Sequence, residues 1–195
     1  MDIGSYILPQ TKFFSMSNQL IAVNSKSDIL PKYRKTPIGA LLEYHNLNKT
    51  FAHCDKAQIL IGMCIDNSKS LWIPDNFAFI IRAAGANLLY SEFQISYAIS
   101  IANLKHIALI AHNHCGMVDL SSIKSQFVAG LVQNAGWKAD NAEHHFDQLS
   151  VFFEIGNETR FIIEEAKRLQ KRYPKVMVAP LYFNVDDGKI YQVEL

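Results

Sequence analysis

Three residues in the middle of the chain have the types and spacing of a transition-metal site. Cys64 stands in Gly62-Met63-Cys64-Ile65-Asp66, and His112 and Cys115 stand in Ala111-His112-Asn113-His114-Cys115-Gly116. Thiolate and imidazole are zinc's usual protein ligands, and two Cys with one His leave a fourth position that catalysis can use. Two soft thiolates select zinc over magnesium, calcium or manganese. Asp66 reaches the same space from two residues beyond Cys64, either as a fourth ligand or as an acceptor for a zinc-bound water. The competing reading is packing, since free cysteine is among the most buried residue types and His112 would then be a satisfied interior histidine.

These residues need elements that bring them together. Three apolar runs read as buried parallel strands: residues 57–63 (AQILIGM), 77–82 (FAFIIR) and 107–111 (IALIA). Between the last two, residues 91–104 repeat Phe93, Tyr97, Ile101 and Leu104 at helical spacing. Strand, helix and strand in that order predict a right-handed crossover. The fold class expected is α/β, a doubly wound and mostly parallel sheet flanked by helices. Its strands, counted along the chain, follow an order of about 2-1-3-4 plus a C-terminal strand. Cys64 follows the first strand, and His112 and Cys115 follow the third. In such sheets ligands gather beyond the strands' carboxyl ends where the order reverses, so the three become neighbours.

Around this centre, a helix is expected from Pro37, with Thr36 as its N-cap and Ile38, Leu41, Leu42 and His45 on one stripe. Residues 121–135 and 144–169 read as mainly helical. Residues 176–183 and 189–194 read as a terminal strand pair across Asp187–Gly188. Residues 1–35 lack such a pattern and read as an N-terminal arm, leaving 36–195 as the zinc-binding domain.

Composition narrows the function. The chain is 49% hydrophobic and 19% charged with a formal charge of +1, which fits a soluble domain with a sizeable core and no nucleic-acid or anionic-membrane surface. No apolar run approaches the roughly 18–20 residues of a spanning helix. The start MDIGSYILPQ lacks a basic segment followed by an apolar one, so no secretory signal is expected. Three cysteines are an odd number for a disulfide framework, and a cytoplasmic protein with free thiols is expected. No glycine-rich phosphate loop follows a strand, which argues against a nucleotide site.

Residues 59–118 resemble the β-class carbonic anhydrases. That family's C-x-D-x-R motif is matched by Cys64-Ile65-Asp66-Asn67-Ser68, and its Arg-Asn-Ala-Gly stretch by Arg82-Ala83-Ala84-Gly85. Its G-H-x-x-C-G motif is matched by Ala111 to Gly116, and its Ser-rich helix start is similar to Ser91 to Ala98 with a shifted spacing. The stretch 181–188 is similar to the family's closing hairpin, so the resemblance covers roughly residues 36–195. It implies a Zn2+ cofactor held by Cys64, His112 and Cys115. It also implies a lyase activity in which a zinc-bound hydroxide converts carbon dioxide to bicarbonate. Asp66 would accept a hydrogen bond from that hydroxide. Arg82, Ala84 and Gly85 would lie near the substrate pocket. Homodimers or higher homo-oligomers, joined partly through N-terminal helices, are implied as well.

One departure bears on activity. The motif's Arg, which pairs with the Asp, is Ser68 here, and a hydroxyl cannot give a carboxylate the planar bidentate partner that guanidinium gives. Asp66 then has less reason to stay off the metal, and a closed four-ligand shell is the mark of structural zinc. Lys69 or Arg82 would be the replacement partner. Two alternatives follow: a non-catalytic zinc-binding homologue with Asp66 closing the shell, or a hydrolase of another small linear substrate such as carbon disulfide or carbonyl sulfide. His114 reads as a proton shuttle, a substitute ligand or an exposed loop residue. His144–His145 read as part of a solvated helix face, and His53 and Cys54 lie at the wrong end of the sheet.

Overall fold

The computed structural model describes residues 20–66 and 70–194. Its elements, in chain order, are β1 (Leu20–Ile21), α1 (Pro37–Leu47), β2 (Ile59–Met63), β3 (Ala78–Arg82), α2 (Glu92–Ser100), β4 (His106–His112), α3 (Lys124–Ala135), α4 (Ala139–Phe153), α5 (Glu158–Arg172), β5 (Met177–Asn184) and β6 (Lys189–Val193). They build a mixed α/β domain around a six-stranded sheet of order β1-β6-β5-β4-β2-β3. Strands β3, β2, β4 and β5 run parallel, β6 returns antiparallel to β5, and β1 adds antiparallel to β6. The four parallel strands therefore stand in the expected second-first-third-fourth order, with β6 as the C-terminal strand.

Every residue of β2 is buried, as a central strand covered on both faces must be. Its side chains alternate: Ile59, Ile61 and Met63 join Leu41, Leu42 and Tyr44 of α1 in one core. Leu60 joins Ile95 of α2 and Ile162, Ala166 and Leu169 of α5 in the other. Helices thus cover both faces, which defines a doubly wound sheet. α1 begins where Pro37 fits the first turn and the Thr36 hydroxyl accepts the Gly39 N–H at 3.4 Å.

Several boundaries differ from the sequence reading, each for a local reason. The helical stretch expected over 144–169 is two helices. Gly156 adopts φ 65° between them, and the Asn157 side chain caps α5 by accepting the Arg160 N–H at 2.9 Å. α2 stops at Ser100 because Asn103 takes φ 56° and Leu104 N–H closes back on Ala98 C=O at 3.3 Å. The turn 120–123 opens as a 3-10 helix before α3.

Residues 20–35 pack on the body. Val23, Ile29 and Tyr33 enter the α1-side core, and buried Gln192 accepts from Leu30 N–H at 2.8 Å and donates to Asp28 C=O at 2.9 Å. Residues 1–19 of the expected arm lie outside the described residues. Among the described residues, no helix is long and apolar enough to cross a membrane.

Candidate metal centre

The register of the sheet assembles the centre. Met63 of β2 pairs with Ile110 of β4, so Cys64 leaves its strand beside Ala111 and His112 as they complete theirs. The β4 chain then turns through Asn113 and His114, which adopts φ 58°, and brings Cys115 back over the strand ends. The result is one cluster: the donor atoms of Cys64, His112 and Cys115 all lie within 4.8 Å of one another, and all three residues are buried.

Both cysteines are free thiols, with their sulfurs 4.0 Å apart. Two Zn–S bonds of about 2.3 Å at a tetrahedral angle place sulfurs about 3.8 Å apart, so the pair has the spread of two thiolates on one zinc. His112 Nδ1 lies 2.7 Å from the Asn113 carbonyl oxygen, which fixes that nitrogen as the N–H donor. The opposite nitrogen, Nε2, is buried and makes no hydrogen bond. A buried imidazole lone pair without a partner costs free energy unless a cation or proton meets it. This orphaned atom, beside two thiols, fits the donor set of a Cys2His zinc centre.

Electrostatics divide the two thiols. The neighbouring Cys115 S–H stabilises a Cys64 thiolate; burial opposes it, and the adjacent His112 side chain and then the backbone N–H groups of Asp66 and Gly85 support it. Cys64 is pushed well below the ordinary thiol range. Cys115 is pushed up by that same neighbour and by burial. A cation binding both sulfurs displaces their protons.

The remaining expected residues take distinct places. Arg82 ends β3, opposite Met63, and its Nη1 donates to the Cys64 and Asp66 carbonyl oxygens at 3.0 and 3.2 Å. It therefore clasps the backbone of the ligand loop. Asp66 sits exposed on that loop and is not one of the three clustered residues. Ala84 is half-buried, and Gly85 is buried with φ 61° in the turn after β3. A Cβ on Gly85 would stand 2.7 Å from Ile155 Cγ2 and 3.3 Å from Met117 Cβ, so only glycine brings its N–H this close. Ser68 and Lys69 lie outside the described residues. His114 is exposed, with Nε2 3.6 Å from Asp186 Oδ1. His144 is exposed, while His145 beside it is half-buried, stacked on Phe127 and edge-on to Trp137.

Two contributors escaped the sequence reading. Ile155, between α4 and α5, packs with Met117, Val118 and Phe161 as the apolar wall around the two sulfurs. Asn113 ties the ligand loop to the β5–β6 turn: its Oδ1 accepts from Val185 N–H at 2.7 Å and its Nδ2 donates to Asp186 at 2.9 Å. Its polar side chain beside His112 was the available signal, but its use depends on β5 lying next to β4.

Fold and site together describe an α/β domain with a Cys2His candidate metal centre at the carboxyl ends of its central strands. Solved structures share this fold. The carbonic anhydrase of Glaciozyma antarctica matches with a TM-score of 0.57 at 16% identity, over 84% of this chain and 95% of that one. The β-carbonic anhydrase isoform I of Trichomonas vaginalis matches at 0.56 and 19% identity, over 75% and 88%. A carbon disulfide hydrolase matches at 0.50 and 14% identity, over 70% and 78%. The chain thus has the β-carbonic anhydrase fold. No family model matches the sequence, and no curated protein does.

Proposed function

We propose that this protein is a zinc-dependent, carbonic anhydrase-like lyase that interconverts carbon dioxide plus water with bicarbonate plus a proton. The observation that carries the reading is the buried, unpartnered Nε2 of His112 beside the thiols of Cys64 and Cys115. These three residues hold the metal. Zinc, when bound, supplies the Lewis acidity that lets water lose a proton near neutral pH. Arg82 fixes the Cys64–Asp66 loop through its carbonyls, and Asp66 offers the carboxylate that orients the attacking water. Ile155, Met117 and Val118 keep bulk water from the sulfurs.

A second reading rests on Ser68, which stands where the motif's Arg would hold the Asp away from the metal. Asp66 then becomes a permanent fourth ligand and the protein a non-catalytic zinc binder. Likeness to a carbon disulfide hydrolase supports a third reading, in which the same centre hydrolyses carbon disulfide or carbonyl sulfide. Turnover of the three substrates by zinc-loaded protein separates the enzymatic readings. The Asp66→Ala variant separates the first from the second: lost turnover with zinc affinity lowered by no more than about 100-fold, as for a partner one step removed from the metal, supports the orienting role, whereas a larger loss makes Asp66 a ligand.

A homo-oligomer is part of the proposal, supported by one exposed apolar face. Edge strand β3 exposes Phe79 on the side of the sheet that α2 covers, and beside it α2 and the turns flanking it expose Leu89, Tyr90, Phe93, Tyr97 and Ile101, with Phe93 80% and Ile101 68% accessible. At about 150–250 Å² per fully exposed large side chain, this face presents on the order of 750 Å². That approaches the roughly 800 Å² per partner of a stable interface. The free thiols suit a reducing compartment, and the cytoplasm is proposed as the site of action.

A further inference from the structure

His112 can serve a cation only if its ring keeps one tautomer and one orientation, with the proton on Nδ1 and the lone pair on Nε2. The acceptor that sets this is the carbonyl oxygen of the next residue, Asn113, at 2.7 Å. That peptide lies just past the end of β4, where no ladder bond holds it. Its orientation depends on whatever fixes Asn113.

Both ends of the Asn113 amide are engaged by the turn that joins β5 to β6. Oδ1 accepts from Val185 N–H at 2.7 Å, and Nδ2 donates to Asp186 Oδ2 at 2.9 Å. Asp186 also faces the next loop residue, with Oδ1 3.6 Å from His114 Nε2. The turn is itself braced. Asp186 N–H donates to Asn184 Oδ1 at 3.0 Å, Gly188 N–H to Asn184 C=O at 2.9 Å, and Tyr191 O–H to Asp187 Oδ2 at 2.5 Å.

We propose that Asn113 and Asp186 form a positioning pair, through which the β5–β6 turn holds the Asn113 carbonyl and so aims His112 Nε2 at the metal. This inference rests on the zinc reading of Cys64, His112 and Cys115. Neither residue touches the metal. Partners one step removed from the ligands commonly set metal affinity by 10–100-fold, because they fix the ring and raise its basicity.

The test uses the full chain and a reciprocal exchange. Zinc affinity is measured by competition with a chromogenic chelator, and the His112 tautomer by nitrogen NMR of the metal-free protein. Asn113→Asp sets two carboxylates against each other and removes the donor; zinc affinity is expected to fall about 10–100-fold and the ring to populate both tautomers. The double variant Asn113→Asp/Asp186→Asn exchanges donor and acceptor across the same gap, and is expected to recover affinity to within about threefold and restore the Nδ1–H form. Recovery of melting temperature without recovery of affinity and tautomer would make the pair merely structural and overturn the inference. So would an unchanged affinity and tautomer in Asn113→Asp. The zinc reading has its own control: the wild type binds one zinc, and Cys64→Ala and Cys115→Ala lose it. If that control fails, the zinc reading falls, and the tautomer measurement still decides whether the pair sets the ring.

Discussion

At the scale of single residues, the centre is a set of atoms that satisfy one another poorly without a cation. The sulfurs of Cys64 and Cys115 are buried 4.0 Å apart, and His112 Nε2 is buried without a hydrogen-bond partner. The donors were legible in the sequence because two thiols and an imidazole follow apolar strand runs. Arg82 was legible as a neighbour of the site, but its hold on the carbonyls of Cys64 and Asp66 was not, since that depends on where the loop's backbone turns. Two substitutions test this scale. Gly85→Ala forces a methyl against Ile155 and a side chain into φ 61°, and should destabilise the fold by about 1–3 kcal/mol in a denaturant titration. Ser68→Arg should raise carbon dioxide hydration if Asp66 blocks the metal; an unchanged rate in a folded variant removes that explanation.

Among elements, the turn carrying Gly85 is fastened from behind. Glu165 of α5, 5% exposed, accepts the Leu88 N–H at 3.1 Å and takes a two-point bond from Arg168, which also reaches Glu92 of α2. Arg168→Met leaves the Glu165 carboxylate in the core without its cation, and should cost about 3 kcal/mol by thermal or chemical unfolding. His45 of α1 joins the β5–β6 turn to the segment before β3: Nε2 bonds Gly188 C=O and Nδ1 accepts the Trp72 N–H, each at 3.0 Å. Burial holds His45 below its ordinary pKa, with the Gly188 bond acting the other way. The folded state therefore prefers the neutral ring, while the unfolded chain takes a proton near pH 6.5. The stability this gives is present above about pH 6.5 and is lost as pH falls toward the lowered folded value. Melting temperature should drop between pH 7.5 and 5.5, and drop less in His45→Gln. Element types were readable from apolar period. The α4–α5 break was not, because Gly156 and Asn157 act through backbone conformation that periodicity does not register.

At the scale of the whole molecule, the strand order sets β2 beside β4, and that is what makes Cys64 and His112 neighbours despite their separation in sequence. The antiparallel addition of β1 was invisible because a two-residue strand carries no period. The apolar face of β3 and α2 makes an oligomer the expectation in solution. Light scattering should give at least a dimer, and a charge placed at Phe93 should lower the mass without unfolding the chain. The central claim is that the three clustered donors make a working zinc centre. Stopped-flow carbon dioxide hydration, on protein of confirmed zinc content from about pH 6.5 to 9 with Cys64→Ala as blank, tests it most directly. A rate well above that blank is the predicted result. No rate from folded, fully zinc-loaded protein at any of these pH values would contradict the catalytic account.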